Sequence, residues 1–208
     1  MKTFRQKYLK WIILAILLSI IVITTYALLT NKLTNFDTAV YSAVMSIKHP
    51  IITGFFKAIT FCSSKSFLIV LSILLFFIFK NKKYPLFSFI SLAFIALSNK
   101  VLKFIFQRER PDWKMIPEDG FSFPSGQAMA SMAFYGLLIY LIWRTDIPKK
   151  YKKILTVVLS ILIFLVGLSR IYLGVHYASD IIVGFAISLS YLIVITTIIT
   201  YYLKRHHE

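Results

Sequence analysis

The chain has 208 residues, of which 58% are hydrophobic and 16% are aromatic, and its formal net charge is +16. Soluble domains are about 45–50% apolar, and the excess is gathered here into long blocks, which excludes an ordinary soluble domain and predicts an integral membrane protein. The positive residues lie between these blocks and form no basic stripe, so membrane topology accounts for them and a nucleic-acid partner is excluded.

Six apolar segments are long enough to cross a bilayer, which takes about 20 helical residues. The first, 11–30, is longer than the apolar core of about 7–15 residues in a signal peptide, so we predict an uncleaved span. Residues 35–56 space their apolar groups at helical intervals and predict an interfacial helix. The other predicted spans are 59–79, 84–103, 127–143, 154–173 and 181–203. The fold class is therefore all-α, a six-transmembrane-helix bundle in a single domain, 1–208.

The basic residues are distributed unevenly among the connections. Both terminal segments and the second and fourth connections hold most of them, with only Asp146 and Glu208 as acidic residues. Positive charge in short connections favours the cytoplasmic side. We therefore predict that both termini are cytoplasmic and that the connections 31–58, 104–126 and 170–180 face the outside.

Three short stretches combine polar and ionisable residues next to the predicted spans. They are "KFIFQRERP" at 103–111, "FPSGQ" at 123–127 and "SRIYLGVHYASD" at 169–180. Such residues near membrane depth are costly and usually functional. The predicted topology places all three stretches at the outer face, which indicates one shared site.

The first two stretches indicate an anion site. Lys103 and Arg110 are two helical turns apart, and Pro111 disfavours helix at Arg110, so we expect the helix to unwind there. Interfacial snorkelling of the two cations is the alternative. In the second stretch, Ser125 is a predicted N-cap, and the free amides from Gly126 onward suit a phosphate. An ordinary span start is the alternative there.

The third stretch predicts an oriented imidazole. His176 and Asp180 are four residues apart, so the carboxylate can hold one ring nitrogen while the other stays free as a base or nucleophile. Arg170 adds a cation with bidentate geometry for phosphate, and Gly174 permits a bend between them. The alternative is a hydrogen-bonded histidine with only a packing role.

A metal site is disfavoured because too few ligands gather. Apart from His206 and His207 at the C-terminus, only His49 and His176 remain, and Cys62 is the single cysteine. We expect no metal and no cofactor. The surplus of cations suits an anionic substrate.

On these residues the chain resembles the PAP2 (type 2 phosphatidic acid phosphatase) superfamily of membrane lipid phosphatases, whose motifs are K-x6-R-P, P-S-G-H and S-R-x5-H-x3-D. Lys103, Arg110 and Pro111 match the first motif. Pro124, Ser125 and Gly126 match the first three positions of the second motif, whose fourth position is Gln127 here. The third motif is matched in full, by Ser169, Arg170, His176 and Asp180. The six-helix layout of the family agrees with the predicted spans.

The resemblance implies that His176 attacks phosphorus and carries a phosphohistidine, and that Asp180 orients it. It also implies a set of phosphate-binding residues, namely Lys103, Arg110, Ser125, Gly126, Ser169 and Arg170. The implied partners are membrane lipids and a lipid phosphate substrate, with undecaprenyl diphosphate, phosphatidylglycerol phosphate and phosphatidic acid as candidates. The implied location is a bacterial cell membrane, with the site facing outside.

Gln127 departs from the family, which has a histidine there as the general acid that protonates the leaving oxygen. A glutamine amide donates hydrogen bonds but gives up no proton at neutral pH. Two explanations compete. In the favoured one, Gln127 is a deliberate substitution that impairs the enzyme. In the other it is natural, and the substrate is a diphosphate whose leaving group needs little protonation. A non-catalytic phosphate-binding membrane protein or a transporter is the alternative function.

Overall fold

The structure, a computed structural model, describes the backbone of residues 2–205 and the side chains of residues 8–202. Within those bounds it contains helices, turns and loops but no strand. Of the terminal charges that entered the topology prediction, only Lys10 lies among the described side chains. The described helices are α1 Lys2–Leu29, α2 Thr34–Met45, α3 Pro50–Phe61, α4 Lys65–Ile78, α5 Lys83–Phe106, α6 Gly126–Ile142, α7 Lys149–Tyr172 and α8 Ala178–Arg205.

Four of these helices, α1, α5, α7 and α8, are long and apolar enough to cross a membrane. The pair α3 and α4 passes the same test jointly, bent by 51°, and counts as a fifth span if it is one broken span. The helix α6 is apolar but has only 17 residues. The chain is thus a multi-pass membrane protein with an all-helical fold. The count of six spans and the cytoplasmic termini stay predictions.

The region between α1 and α5 differs from the prediction. In place of one interfacial helix at 35–56 the chain forms α2 and α3, because Pro50 fits the first turn of a new helix and the side chain of His49 caps it. The predicted span 59–79 is also broken, since α3 ends at Phe61 and Ser64 caps the start of α4. The other five predicted spans each coincide with one helix.

The helix α6 forms the centre of the bundle. It packs against α5, α7 and α8, and Ala128, Met129, Phe134 and Leu137 along it are fully buried. A helix that is hydrophobic on all sides needs such surroundings. Large apolar side chains on the outer helices are exposed, as Ile23 is at 67% of its surface, which suits contact with lipid.

The ends of α5, α6, α7 and α8 that carry the three polar stretches meet at one end of the bundle. Backbone hydrogen bonds join them, from Ser125 N to Asp180 O at 3.2 Å and from Ser122 N to Arg108 O at 2.7 Å. The helix α5 stops at Phe106, before Arg110, as Pro111 predicts. The predicted convergence of the three stretches is therefore present in the structure.

Candidate active site

His176 lies in the turn between α7 and α8, with 2% of its surface exposed. Gly174 makes this turn possible, because its φ of +68° strains any residue with a Cβ. A Cβ at this position would also lie 2.5 Å from the carbonyl oxygen of Trp113. The bend predicted at Gly174 is present, but His176 precedes α8, so it does not share a helix with Asp180 as the spacing predicted.

The carboxylate of Asp180, in the first turn of α8, is fully buried and held by several donors. Its Oδ2 lies 3.3 Å from His176 Nδ1 and accepts hydrogen bonds from Tyr177 N, at 2.9 Å, and from Ser122 Oγ. Its Oδ1 accepts from Arg108 Nη1 at 2.6 Å. The predicted contact between carboxylate and imidazole is therefore made, with the carboxylate fixed from three other sides.

The opposite nitrogen of the ring, His176 Nε2, lies 3.2 Å from Arg110 Nη1. Because an arginine only donates, Nε2 is the acceptor and the ring proton sits on Nδ1, facing Asp180. Burial lowers the pKa of His176 to about 4; Asp180 raises it in part, and the charges of Arg170 and Arg110 lower it. At neutral pH the ring is uncharged, and the lone pair of Nε2 accepts the hydrogen bond from Arg110.

Arg110 and Arg170 share one carboxylate, that of Glu118. Arg170 Nη2 donates to Glu118 Oε2 at 2.6 Å, and Arg110 Nη2 lies 3.7 Å from Glu118 Oε1. Burial alone would raise the pKa of Glu118, but the charge and hydrogen bond of Arg170, with the charge of Arg110, hold it below its ordinary value. Two guanidinium groups thus bind one oxyanion beside His176.

The second motif forms the start of α6. Ser125 is its N-cap, as predicted, and its Oγ accepts from Ala128 N at 3.4 Å. Asn99 Nδ2 donates to Pro124 O at 2.9 Å, and a Cβ on Gly126 would lie 2.8 Å from Asn99 Oδ1. Glycine is therefore the residue that fits here without moving Asn99, and the turn lies at the positive end of the helix dipole.

Lys103, Arg110 and Ser169 make hydrogen bonds to backbone carbonyls, Arg110 to those of Gly120, Val175 and Asp119. Lys103 Nζ donates to Phe121 O at 2.6 Å. The buried Ser169 donates its hydroxyl proton to Val166 O, within α7, at 2.7 Å. Lys103 can redirect a flexible side chain towards an anion, whereas direct phosphate binding by Ser169 stays a prediction because its proton is used in the helix.

Gln127, in the first turn of α6, lies against two hydroxyl groups. Its Oε1 is 2.8 Å from Thr60 Oγ1 and 2.7 Å from Ser63 Oγ. Thr60 Oγ1 also accepts a hydrogen bond from Arg170 Nη1 at 2.7 Å. One hydroxyl group therefore connects Gln127 to an arginine of the third motif.

A second ion cluster, behind Asp180, was not predicted. Arg108 donates to Asp180 at 2.6 Å and to Asp37 at 2.7 Å, and Asp37 also accepts from the backbone and hydroxyl of Ser179. Asp37 is 2% exposed and shares the buried face of α2 with Val40. An acidic residue on the apolar face of an amphipathic helix was the sequence signal for this contact.

Comparison with known proteins gives consistent matches. A family model described as the PAP2 superfamily matches residues 84–204. The chain is 32% identical over 168 residues to phosphatidylglycerophosphatase B of Bacillus subtilis, which covers 78% of this chain and 83% of that protein.

Solved structures resemble it as well. A transmembrane PAP2 type phosphatidylglycerolphosphate phosphatase from Bacillus subtilis superposes with a TM-score of 0.84 and 30% identity, covering 92% of this chain and 98% of that one. The crystal structure of Aquifex aeolicus LpxE matches with a TM-score of 0.63 and 24% identity, over 77% of this chain and 93% of that one. The latter likeness supports the fold alone.

Proposed function

The chain belongs to the PAP2 superfamily, and from that membership we propose that it is an integral membrane lipid phosphatase that works through a phosphohistidine intermediate. The observation that carries the proposal is the placement of His176. Its unprotonated Nε2 lies 3.2 Å from Arg110 Nη1, and its Nδ1 lies 3.3 Å from Asp180 Oδ2. A buried nucleophile with a fixed carboxylate on one side and a cation on the other suits attack on a phosphoryl group.

In the first step, the lone pair of His176 Nε2 forms a bond to phosphorus while Asp180 holds Nδ1–H and balances the charge that develops on the ring. The bond from phosphorus to the bridging oxygen breaks, and its electron pair leaves on that oxygen. Stabilising the phosphoryl oxygens is the main electrostatic task in such a transfer. It falls to Lys103, Arg110, Arg170, Ser125 and the Gly126 amide.

In the second step, water attacks the phosphohistidine. The N–P bond breaks, its electron pair returns to Nε2, and inorganic phosphate leaves as dihydrogen phosphate with the oxygen and both protons of the water. Neither step uses a proton from Gln127, which has none to give. General acid catalysis is typically worth about 10²–10⁴ in rate, so an alcohol leaving group departs more slowly by about that factor.

The substrate tail lies among the helices, and the headgroup meets the cations at the outer boundary of a bacterial membrane. The bias of basic residues supports this orientation, and similarity to phosphatidylglycerophosphatase B of Bacillus subtilis supports the bacterial origin. Phosphatidylglycerol phosphate, phosphatidic acid and undecaprenyl diphosphate are the candidate substrates.

The test is phosphate release by the purified chain from a panel of lipid monophosphates and diphosphates, with His176→Ala as the control. We expect release from at least one lipid and a loss of about a thousandfold or more in the control, because an alanine cannot form the covalent intermediate. Release that is unchanged by His176→Ala contradicts the mechanism.

A second candidate function is a protein that binds or carries a lipid phosphate without cleaving it. Two observations favour it: Gln127 has no proton to give, and the carboxylate of Glu118 lies between the two arginines. This candidate predicts lipid binding or flux across a vesicle membrane with no phosphate release. Restoring histidine by Gln127→His separates the two, since a latent enzyme gains release and a carrier does not.

A further inference from the structure

The hydrogen-bond network fixes which way the amide of Gln127 faces. Arg170 is a donor only, so Thr60 Oγ1 accepts from it at 2.7 Å and must pass its own proton elsewhere. Among the described residues the acceptor for that proton is Gln127 Oε1, at 2.8 Å. Ser63 Oγ also faces Oε1, at 2.7 Å, with Thr60 O at 3.0 Å as its second acceptor.

The reversed amide makes a poorer network. With Nε2 in place of Oε1, Thr60 Oγ1 would receive two donors, from Arg170 and from Gln127, and its own proton would have no acceptor among the described residues. A hydroxyl donor that is half-buried, as Thr60 Oγ1 is, costs free energy when it is left unpaired. The oxygen therefore faces Thr60 and Ser63, and the NH₂ group faces away from both hydroxyls.

That NH₂ group is available to a ligand. None of the described residues accepts a hydrogen bond from Gln127 Nε2. Gln127 follows Ser125 and Gly126 at the start of α6, and Thr60 connects it to Arg170. We infer that Gln127 donates a hydrogen bond from Nε2 to the leaving oxygen, and that the site acts on lipid diphosphates in preference to lipid monophosphates. This inference rests on the proposed phosphatase function.

The chemistry of the leaving group gives the preference. When His176 Nε2 attacks the terminal phosphorus of a diphosphate, the bridging oxygen leaves with the electron pair as an oxygen of a lipid monophosphate. Phosphate monoesters have a second pKa near 6, so this oxygen is stable without a proton and needs only a hydrogen bond. Attack on a monophosphate expels an alkoxide, which needs a proton that an amide cannot supply.

The experiment compares farnesyl diphosphate with farnesyl monophosphate, which share one tail, in detergent micelles with the full chain. The measured quantity is phosphate release as kcat/KM for each substrate. We expect the diphosphate to be cleaved at least about 100-fold better, the lower bound of a missing general acid. Equal kcat/KM values for the two substrates overturn the inference.

Two substitutions at Gln127 test the donor directly. Gln127→Met keeps the length and removes the donor, and it should lower release from the diphosphate by about 10- to 100-fold, as for one hydrogen bond to a charged group. Gln127→His should raise release from the monophosphate by about 10²–10⁴ and reduce the diphosphate preference. An unchanged diphosphate rate in Gln127→Met overturns the inference.

Ser63→Ala tests the positioning of the amide without touching the reacting atoms. It should lower kcat for the diphosphate while KM stays close to the parent value, because the amide acts on the leaving oxygen in the transition state. A substitution with only a structural effect would change KM together with kcat, which also counts against the inference. Melting temperatures of each variant establish that it is folded.

The outcomes separate this inference from the proposed function. If the parent and Gln127→His both release no phosphate from either lipid, the proposed phosphatase function fails. If Gln127→His cleaves both lipids and the parent cleaves neither, the proposed function stands and the inference alone fails. In that case Gln127 removes the general acid and contributes no useful hydrogen bond to the leaving oxygen.

Discussion

The uncharged ring of His176 is the residue-scale property on which the proposed nucleophilic attack depends. Burial is the main cause of its low pKa, and Asp180 offsets only part of the effect. We expect the ring to stay unprotonated as the pH falls through 6.5 and to protonate only near pH 4. Because its pKa in the unfolded chain is higher, protonation in that window favours unfolding, so stability should fall as the pH drops from about 6.5 towards 4.

The measurement is ¹⁵N NMR of ring-labelled histidine across this pH range, with His176→Gln to assign the resonance. A His176 signal that titrates at its ordinary value near 6.5 would contradict the buried, uncharged ring. Asn99→Ala provides a comparison variant, since Asn99 supports the start of α6 and its hydrogen bonds go to Pro124 and Met129 rather than to His176.

The sequence predicted the proximity of site residues only where those residues lie close together in the chain. His176, Asp180 and Arg170 stand at fixed spacing within twelve residues of chain, so their proximity could be inferred. Glu118 and Thr60 come from a loop and from a helix remote in sequence, and their contacts with Arg170 span 52 and 110 residues. No local pattern marks such a pairing.

At the scale of elements, the turn between α7 and α8 positions His176, the proposed nucleophile. We expect Gly174→Ala to destabilise the protein by about 1–2 kcal/mol, the cost of a left-handed residue with a Cβ. The 2.5 Å approach to the Trp113 carbonyl oxygen adds to it. Because the turn carries His176, phosphate release should also fall by at least about tenfold.

The matched control is Gly54→Ala, in the middle of α3, where an added Cβ meets nothing within 4 Å. Helix propensity favours alanine there by about 1 kcal/mol, so thermal unfolding should occur at the same or a slightly higher temperature. A Gly174→Ala variant as stable and active as Gly54→Ala would show that the turn tolerates a side chain.

The helices themselves were predictable where a long apolar run had clear ends, as for α5 and α7. The prediction was wrong between α1 and α4 because the same apolar spacing continues across two helix starts, at Pro50 and at Ser64. Both residues carry ordinary cap signals. The prediction gave these cap signals less weight than the length of the apolar run, because a membrane-spanning helix needs about 20 residues.

For the molecule as a whole, the direction in which it crosses the membrane is a prediction from charge. In a Cys62→Ser background, we expect Lys114→Cys to react with a membrane-impermeant maleimide in intact cells. Both side chains at 114 and 149 are exposed, and Lys149→Cys, at the other end of α7 from Arg170, should react only after permeabilisation. The reverse pattern would place the site in the cytoplasm.

Composition was enough to predict a membrane protein, because apolar blocks of about 20 residues are typical of membrane-spanning helices. It did not suffice for the number of crossings. The helix α6 has only 17 residues and is surrounded by other helices, so its apolar character reflects packing as much as contact with lipid. Burial inside a bundle and exposure to a bilayer select the same side chains.

The carboxylate of Glu118 means that the two arginines already hold an anion before any substrate arrives. A phosphoryl group reaches them only by exchange, so its net affinity is the difference between two anions rather than the full attraction of two cations. Free phosphate and other dilute solutes compete with an internal anion whose effective concentration is far higher than their own. A lipid headgroup, confined to the same thin layer of membrane as the site, has a higher effective concentration than a dissolved anion and competes better in that exchange.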